Sequence, residues 1–120
     1  LVAATGNGGK KAAPPFPARM SKVIGITAVD KKMRAYKYAT PGYHVGAAAS
    51  GVSRLTAVPG GYRIASGTSF ASADVAGQLS RSSLCRGRRG AALKGHISKR
   101  ARDLGKPGRD DIYGYGLFRL

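Results

Sequence analysis

Ser69 is the residue best placed, by type and context, to do chemistry. It lies in Ser66-Gly67-Thr68-Ser69-Phe70-Ala71, where small hydroxyl residues precede an Ala-rich run, and that pattern predicts a helix N-terminus. A backbone N–H and the positive end of the helix dipole face outward there, toward any charge that develops on a substrate oxygen. A Ser hydroxyl is a weak nucleophile until a neighbouring base takes its proton. Seen alone, the same Ser is simply a helix cap, and that plainer reading stands beside the chemical one.

Other residues invite sharper readings and receive blander ones. His44 and His96 are the two imidazoles available as a base. His44 follows the Thr40-Pro41-Gly42 turn and reads as structural or surface, while His96 flanks the apolar stripe of a helix and reads as packing or surface. Cys85 has no partner for a disulfide and no neighbouring ligand for a metal, so it reads as a small thiol. The adjacent Asp110 and Asp111 in a Gly-rich stretch read as caps or solvated carboxylates rather than a catalytic pair. Gly6-Asn7-Gly8-Gly9-Lys10 lacks the spacer and the Ser/Thr of a phosphate-binding loop. The nucleophile elbow of another hydrolase class needs an acid and then a His downstream, and that order is missing here.

The elements that must position these residues read as alternating strands and helices. Residues 1–5 form a short buried strand that ends at the turn over residues 6–9. Residues 10–22, with Pro14, Pro15 and Pro17, read as an extended loop. Residues 23–29 are β-rich and free of charge, which predicts a strand buried on both faces. Residues 36–39 are read as a short strand, and residues 43–49 as a small apolar segment closing at Ser50-Gly51. Pro59-Gly60-Gly61 between residues 55–58 and 62–65 predicts a hairpin. The helix opened by Ser69 carries Ala71, Val75 and Leu79 on one face. A second helix is expected over residues 91–104, with Leu93, Ile97, Ala101 and Leu104 as its stripe and Gly105 and Pro107 as its stop. Residues 112–120 read as a loop and a final strand.

Composition narrows the function classes. The chain has 120 residues, which suits one domain or a piece of one. No apolar run approaches the ~20 residues of a membrane helix, and no signal-peptide core is visible. Lys and Arg number 21 against 5 acids, a net charge of +16 that usually implies an anionic partner. The stretch 81–109 is dense in Arg and Lys with one acid, Asp103, yet offers no aromatic residue for base stacking and no groove-reading motif. A solvated helix face would show the same bias, so no specific nucleic-acid partner is expected. No cofactor or metal-ligand set is expected either.

Four segments, in order, resemble the subtilisin-like serine proteases. They are Ala3-Ala4-Thr5-Gly6-Asn7-Gly8-Gly9, Val23-Ile24-Gly25-Ile26-Thr27-Ala28-Val29-Asp30, Ala48-Ala49-Ser50-Gly51-Val52, and residues 66–77, SGTSFASADVAG. The tail from Asp103 to Leu117 is similar to the closing helix–loop–strand of that family. The resemblance implies an α/β fold: the C-terminal half of a three-layer subtilisin-like domain with a mainly parallel sheet. It implies Ser69 as the nucleophile and Asn7 as the second oxyanion donor. Thr5, Gly6, Gly67 and Thr68 would border the substrate, with Gly67 small enough to let a substrate backbone approach. The Asp and His of the triad precede the Asn segment in family order, so they would lie before residue 1 and the chain alone would be inactive. A protein or peptide substrate, endopeptidase activity and a secreted or periplasmic location are likewise implied. The chain departs from the family pattern at Ser50 and Ala73, where Pro is usual, at Asp74, and at the polar run Arg81-Ser82-Ser83. A catalytically inactive scaffold of the same fold is therefore an alternative, and a basic nucleic-acid-binding module is another.

Overall fold

The computed structural model describes residues 1–83, 86–87 and 90–120. Cys85 and part of the basic stretch lie outside the described residues. Three strands, β1 (Val2–Ala4), β2 (Ile24–Val29) and β3 (Val45–Ser50), form one parallel sheet in the order β1-β2-β3. The sheet is thus parallel, with helices as its connections' partners, as an α/β reading requires. Beyond β3, the amides and carbonyls of residues 116–118 bond Ala48, so the tail runs parallel to β3 as a single bridge at Leu117. The final strand expected over 112–120 is reduced to that bridge.

The whole of β2 is buried, as its uncharged, branched sequence predicts. Alternation along the strand sends Ile24, Ile26 and Ala28 to one face. There they meet Ala47 and Ala49 of β3 and the buried stripe Ala71, Val75 and Leu79 of helix α1 (Thr68–Arg81). Alanines on both sides of this contact let helix and sheet approach closely. Helix α2 (Gly90–Arg100) adds Leu93 and Ile97 to the same core, and Phe118 closes it. Thr27 turns to the opposite face, while the irregular segment around Tyr36 pairs with the end of β2, Tyr36 N–H donating to the Ala28 carbonyl at 2.8 Å and Tyr36 packing against the core; the Tyr113 hydroxyl pins it by accepting from the amide of Ala35 at 3.3 Å.

The expected hairpin is present as β4 (Arg54–Val58) and β5 (Gly61–Ala65), antiparallel around Pro59-Gly60. Two further expected elements differ. Residues 36–39 form a turn, closed by Ala39 N–H on the Tyr36 carbonyl at 2.9 Å; only Ala35 bridges Val29. Helix α2 ends at Arg100 rather than 104, because Arg102 exchanges two 2.8 Å backbone bonds with Leu117 and draws the chain into the tail's bridge. Helix α1 ends at Arg81, so Arg81 is exposed at a terminus instead of occupying a buried helical position.

Candidate active site

Strands of a parallel sheet all end at the same edge, and the loops there collect functional residues. Thr5, Gly6 and Asn7 follow β1 at that edge, and Gly51 follows β3. The start of α1 is fastened to this edge by the amide of Gly67, which donates to the Gly51 carbonyl at 2.8 Å. Gly51 has no room for a side chain: a Cβ would stand 2.7 Å from both the Ala28 Cβ and the Gly67 carbonyl oxygen.

Helix α1 begins without a capping side chain of its own; Gly67 is the N-cap and makes no such bond. The cap comes from the far end of the chain. Asn7 Oδ1 accepts from the Thr68 amide at 2.9 Å and from the Thr68 hydroxyl at 3.0 Å. Thr68 Oγ1 in turn accepts from the Gly6 amide at 3.3 Å. The expectation that local hydroxyls mark this helix start by capping it is therefore corrected, and Ser69 is not a cap. A backbone N–H can only donate, so the oxygen of Asn7 must face Thr68 and the Nδ2 amino group must face away. Nδ2 lies on the Gly67 side, 3.4 Å from where a Gly67 Cβ would stand.

The first amides of a helix have no intrahelical acceptor. Here Thr68 N–H is taken by Asn7, and Phe70 N–H reaches the Gly67 carbonyl at 3.2 Å. Among the described residues, Ser69 N–H, Ser69 Oγ and Asn7 Nδ2 make no hydrogen bond. Ser69 and Asn7 are exposed, whereas Gly67 and Thr68 are buried beneath them. The result is an outward-facing hydroxyl beside two unpaired donors from opposite ends of the sequence. Such donors stabilise negative charge on an oxygen held near the hydroxyl.

The Asn7 loop is itself held from below. Thr40 donates its amide to the Gly6 carbonyl at 2.9 Å, and its hydroxyl accepts from the Gly8 amide at 3.2 Å. Gly9 N–H bonds the Tyr38 carbonyl at 2.8 Å. Gly6 has φ +102°, and a Cβ there would meet Thr40 Oγ1 at 3.0 Å. Thr40 and Gly51 thus position the site; the sequence marked both only as parts of turns, Thr40-Pro41-Gly42 and Ala48-Ala49-Ser50-Gly51-Val52, and not as residues that hold Asn7 and the start of α1. Thr5, expected to border a substrate, is fully buried, with its amide on the Ile26 carbonyl and its own carbonyl bonded by His44 Nε2 at 3.0 Å.

The remaining candidates are absorbed by the fold. His44 is buried and committed to Thr5, and among the described residues no imidazole bonds Ser69. Asp110 Oδ1 accepts the amides of Ile112 and Tyr113 at 2.8 and 2.7 Å, and Asp103 Oδ2 accepts that of Gly108 at 2.7 Å. Asp111 pairs with Arg109 at 3.1 Å. At the departures from the family pattern, Ser50 Oγ accepts from Arg54 at 3.2 Å and Asp74 from Gln78 at 3.0 Å. Among the described residues no three His, Cys, Asp or Glu are grouped to hold a metal ion, and no helix is long and apolar enough to cross a membrane.

Residues 1–116 match the sequence model of the subtilase family, Peptidase S8. The minor extracellular protease Epr of Bacillus subtilis (strain 168) is 33% identical over 124 aligned residues, covering 99% of this chain and 19% of Epr. The chain also superposes on a lanthipeptide protease with a TM-score of 0.81 and 25% identity, covering 99% of this chain and 48% of that one. A second solved structure, S41 psychrophilic protease, gives a TM-score of 0.84 at 22% identity, covering 99% and 47%, and speaks to the fold alone. The chain therefore spans about half the length of these structures and about a fifth of Epr.

Proposed function

The chain belongs to the subtilase family, and from that premise we propose that it supplies the nucleophile and oxyanion hole of a serine endopeptidase domain. Ser69 Oγ attacks the scissile carbonyl, while Ser69 N–H and Asn7 Nδ2 receive the oxygen as it becomes an oxyanion. Ser69 gives its proton to the base as the Oγ–carbon bond forms; the C–N bond then breaks, the amine leaves with that proton, and water hydrolyses the acyl ester, releasing the acid and restoring the Ser69 hydroxyl. The base and its orienting carboxylate come from an upstream segment of the same polypeptide, whose absence leaves this chain inactive alone. β1 leaves one edge of the parallel sheet open among the described residues, which gives upstream strands a place to pair.

The observation that carries this reading is the orientation of Asn7. Its carbonyl oxygen is locked onto Thr68, and its amino group is left unpaired next to the exposed Ser69. Gly67 supports it as well. Its φ of 164° is extended backbone open to any residue, and a Cβ would have no neighbour closer than 3.4 Å. The fold therefore does not require glycine there, whereas passage of a substrate backbone would. Thr68 and Gly6 act by holding Asn7, and Thr5 by carrying the loop from below. The relative Epr is an extracellular protease by name, and a secreted location is part of the same proposal.

A fluorophosphonate probe tests the proposal on the full-length polypeptide. Labelling that maps to Ser69 and disappears in Ser69→Ala is expected. A folded full-length protein that takes no label at Ser69 would instead be the inactive scaffold, which the changed positions Ser50, Ala73 and Asp74 motivate.

A further inference from the structure

A cavity of about 490 Å³ opens between the irregular segment after β2 and the tail loop after α2. Thr27 of β2 lines it, and its apolar wall includes Tyr36, Pro41, Ile112 and Tyr113. Lys10 and Lys37 line it as well, and no acid does. We propose that it binds a small aromatic carboxylate, with the ring on the apolar wall and the charge met by the two lysines. This site stands independently of the protease reading.

The walls come from three separate parts of the chain and are fastened to one another. The Tyr113 hydroxyl accepts from the Ala35 amide at 3.3 Å, and Asp110 Oδ1 accepts the amides of Ile112 and Tyr113 at 2.8 and 2.7 Å. Just past Pro41, the Gly42 amide donates to the Asp111 carbonyl at 2.8 Å, which ties the two walls together. The Tyr36 ring lies edge-on to that of Tyr38, with centres 5.5 Å apart, and packs against the core. On the Lys10 side, the Gly9 amide donates to the Tyr38 carbonyl at 2.8 Å. A pocket held in this way binds with little ordering of its walls, which favours affinity. Its volume falls within the roughly 300–1,000 Å³ of pockets for organic ligands, and apolar, aromatic walls with a few polar groups are the usual lining of such pockets.

Charge decides the polar end of the ligand. Lys10 and Lys37 are exposed, and neither makes a hydrogen bond or ion pair among the described residues. Lys37 Nζ stands 4.6 Å from the centre of the Tyr38 ring, a cation–π contact that occupies no acceptor. Both ammonium groups therefore keep their donors for an anion. No Arg lines the cavity, so the planar fork that suits bidentate phosphate recognition is missing, and two point charges suit a single carboxylate. The apolar wall excludes a bare ion as the whole ligand. Tyr36 and Tyr113 offer aromatic surface, and Ile112 is exposed at the wall, where a flat ring would cover it.

The test is a calorimetric titration of the full-length polypeptide with naphthoate. Saturable binding is expected, and its absence would overturn the site. Ile112→Asp, which puts an acid on the apolar wall, should weaken binding roughly tenfold or more, and Leu55→Asp, the same change at an exposed hairpin position, less than about twofold. Equal losses in the two variants would assign the effect to general positive charge and overturn the site. The double variant Lys10→Met with Lys37→Met should weaken binding about threefold or more, and undiminished binding would overturn the assignment of the lysines. Should Ile112→Asp fail to fold, this lysine variant decides. Naphthalenemethanol, the ring without the charge, is expected to bind more weakly than naphthoate; equal or tighter binding would overturn the assignment to a carboxylate.

Discussion

Asn7 Oδ1 accepts two hydrogen bonds from Thr68, from its amide at 2.9 Å and its hydroxyl at 3.0 Å, across 61 positions of sequence. One carboxamide thus has two separable duties: its oxygen caps α1, and its nitrogen is the donor left over.

The two duties can be split by mutation. Asn7→Asp keeps an acceptor for Thr68 and adds a charge that a helix N-terminus favours, so thermal stability should be retained. Asn7→Ala loses the cap and should lower stability by about 0.5–2 kcal/mol. Turnover by the complete enzyme should fall in both by about 10²–10³, a magnitude established for the corresponding Asn of a member of the same family. Thermal melts beside kcat measurements check this; full activity in Asn7→Asp would remove Nδ2 from the mechanism.

Thr68 joins Asn7 and Gly6 through one buried hydroxyl. Thr68→Val preserves shape but leaves the Gly6 amide without its bond, so a loss of about 1–3 kcal/mol is expected. Thr68→Ser keeps the hydroxyl and should recover most of it. Denaturant melts of both variants give the comparison.

Two glycines near the site should behave oppositely. Gly51→Ala drives a methyl to 2.7 Å from Ala28 and the Gly67 carbonyl, an overpacking expected to lose about 1–3 kcal/mol. Gly67→Ala meets no neighbour closer than 3.4 Å and should melt like the parent. Its defect should appear in kcat/KM for peptide substrates. A Gly67→Ala enzyme that cleaves peptides normally would show that no substrate backbone passes there.

Asp30 closes β2 by accepting the amides of Lys32 and Arg34 at 2.8 and 2.9 Å, and it pairs with Arg34 Nε at 2.7 Å. The Arg34 amide bond is the main reason its carboxyl lies below its ordinary value. A carboxylate lowered in the folded state stabilises above its unfolded value, and that contribution is lost as pH falls through the lowered folded value. Melting temperatures taken from neutral to acid pH should therefore decline less steeply in Asp30→Ala than in the parent. Parallel curves would mean that Asp30 contributes nothing to acid sensitivity.

Much of this fold is legible from local patterns. An uncharged β-branched run gave a strand buried on both faces, and Pro59-Gly60 gave a hairpin, because both signals act within a few residues. What escaped was set by distant partners. Leu117 pulled Arg102 out of α2, and only a bridge at Leu117 survives of the last strand, because the tail touches β3 through three backbone bonds, at Gly46 and Ala48. The hydroxyls before α1 looked like caps, but Asn7 arrives from β1 to do that work. Thr40 and Gly51 hold the site through contacts that no sequence spacing announces.

The most direct test is a structure of the full-length polypeptide trapped by a boronic acid or fluorophosphonate. Expected is a covalent bond to Ser69 Oγ, with the adduct oxygen about 2.7–3.1 Å from both Ser69 N and Asn7 Nδ2. An adduct on another residue, or an oxygen directed away from Asn7, would contradict the assignment of Ser69 and Asn7 to one oxyanion site.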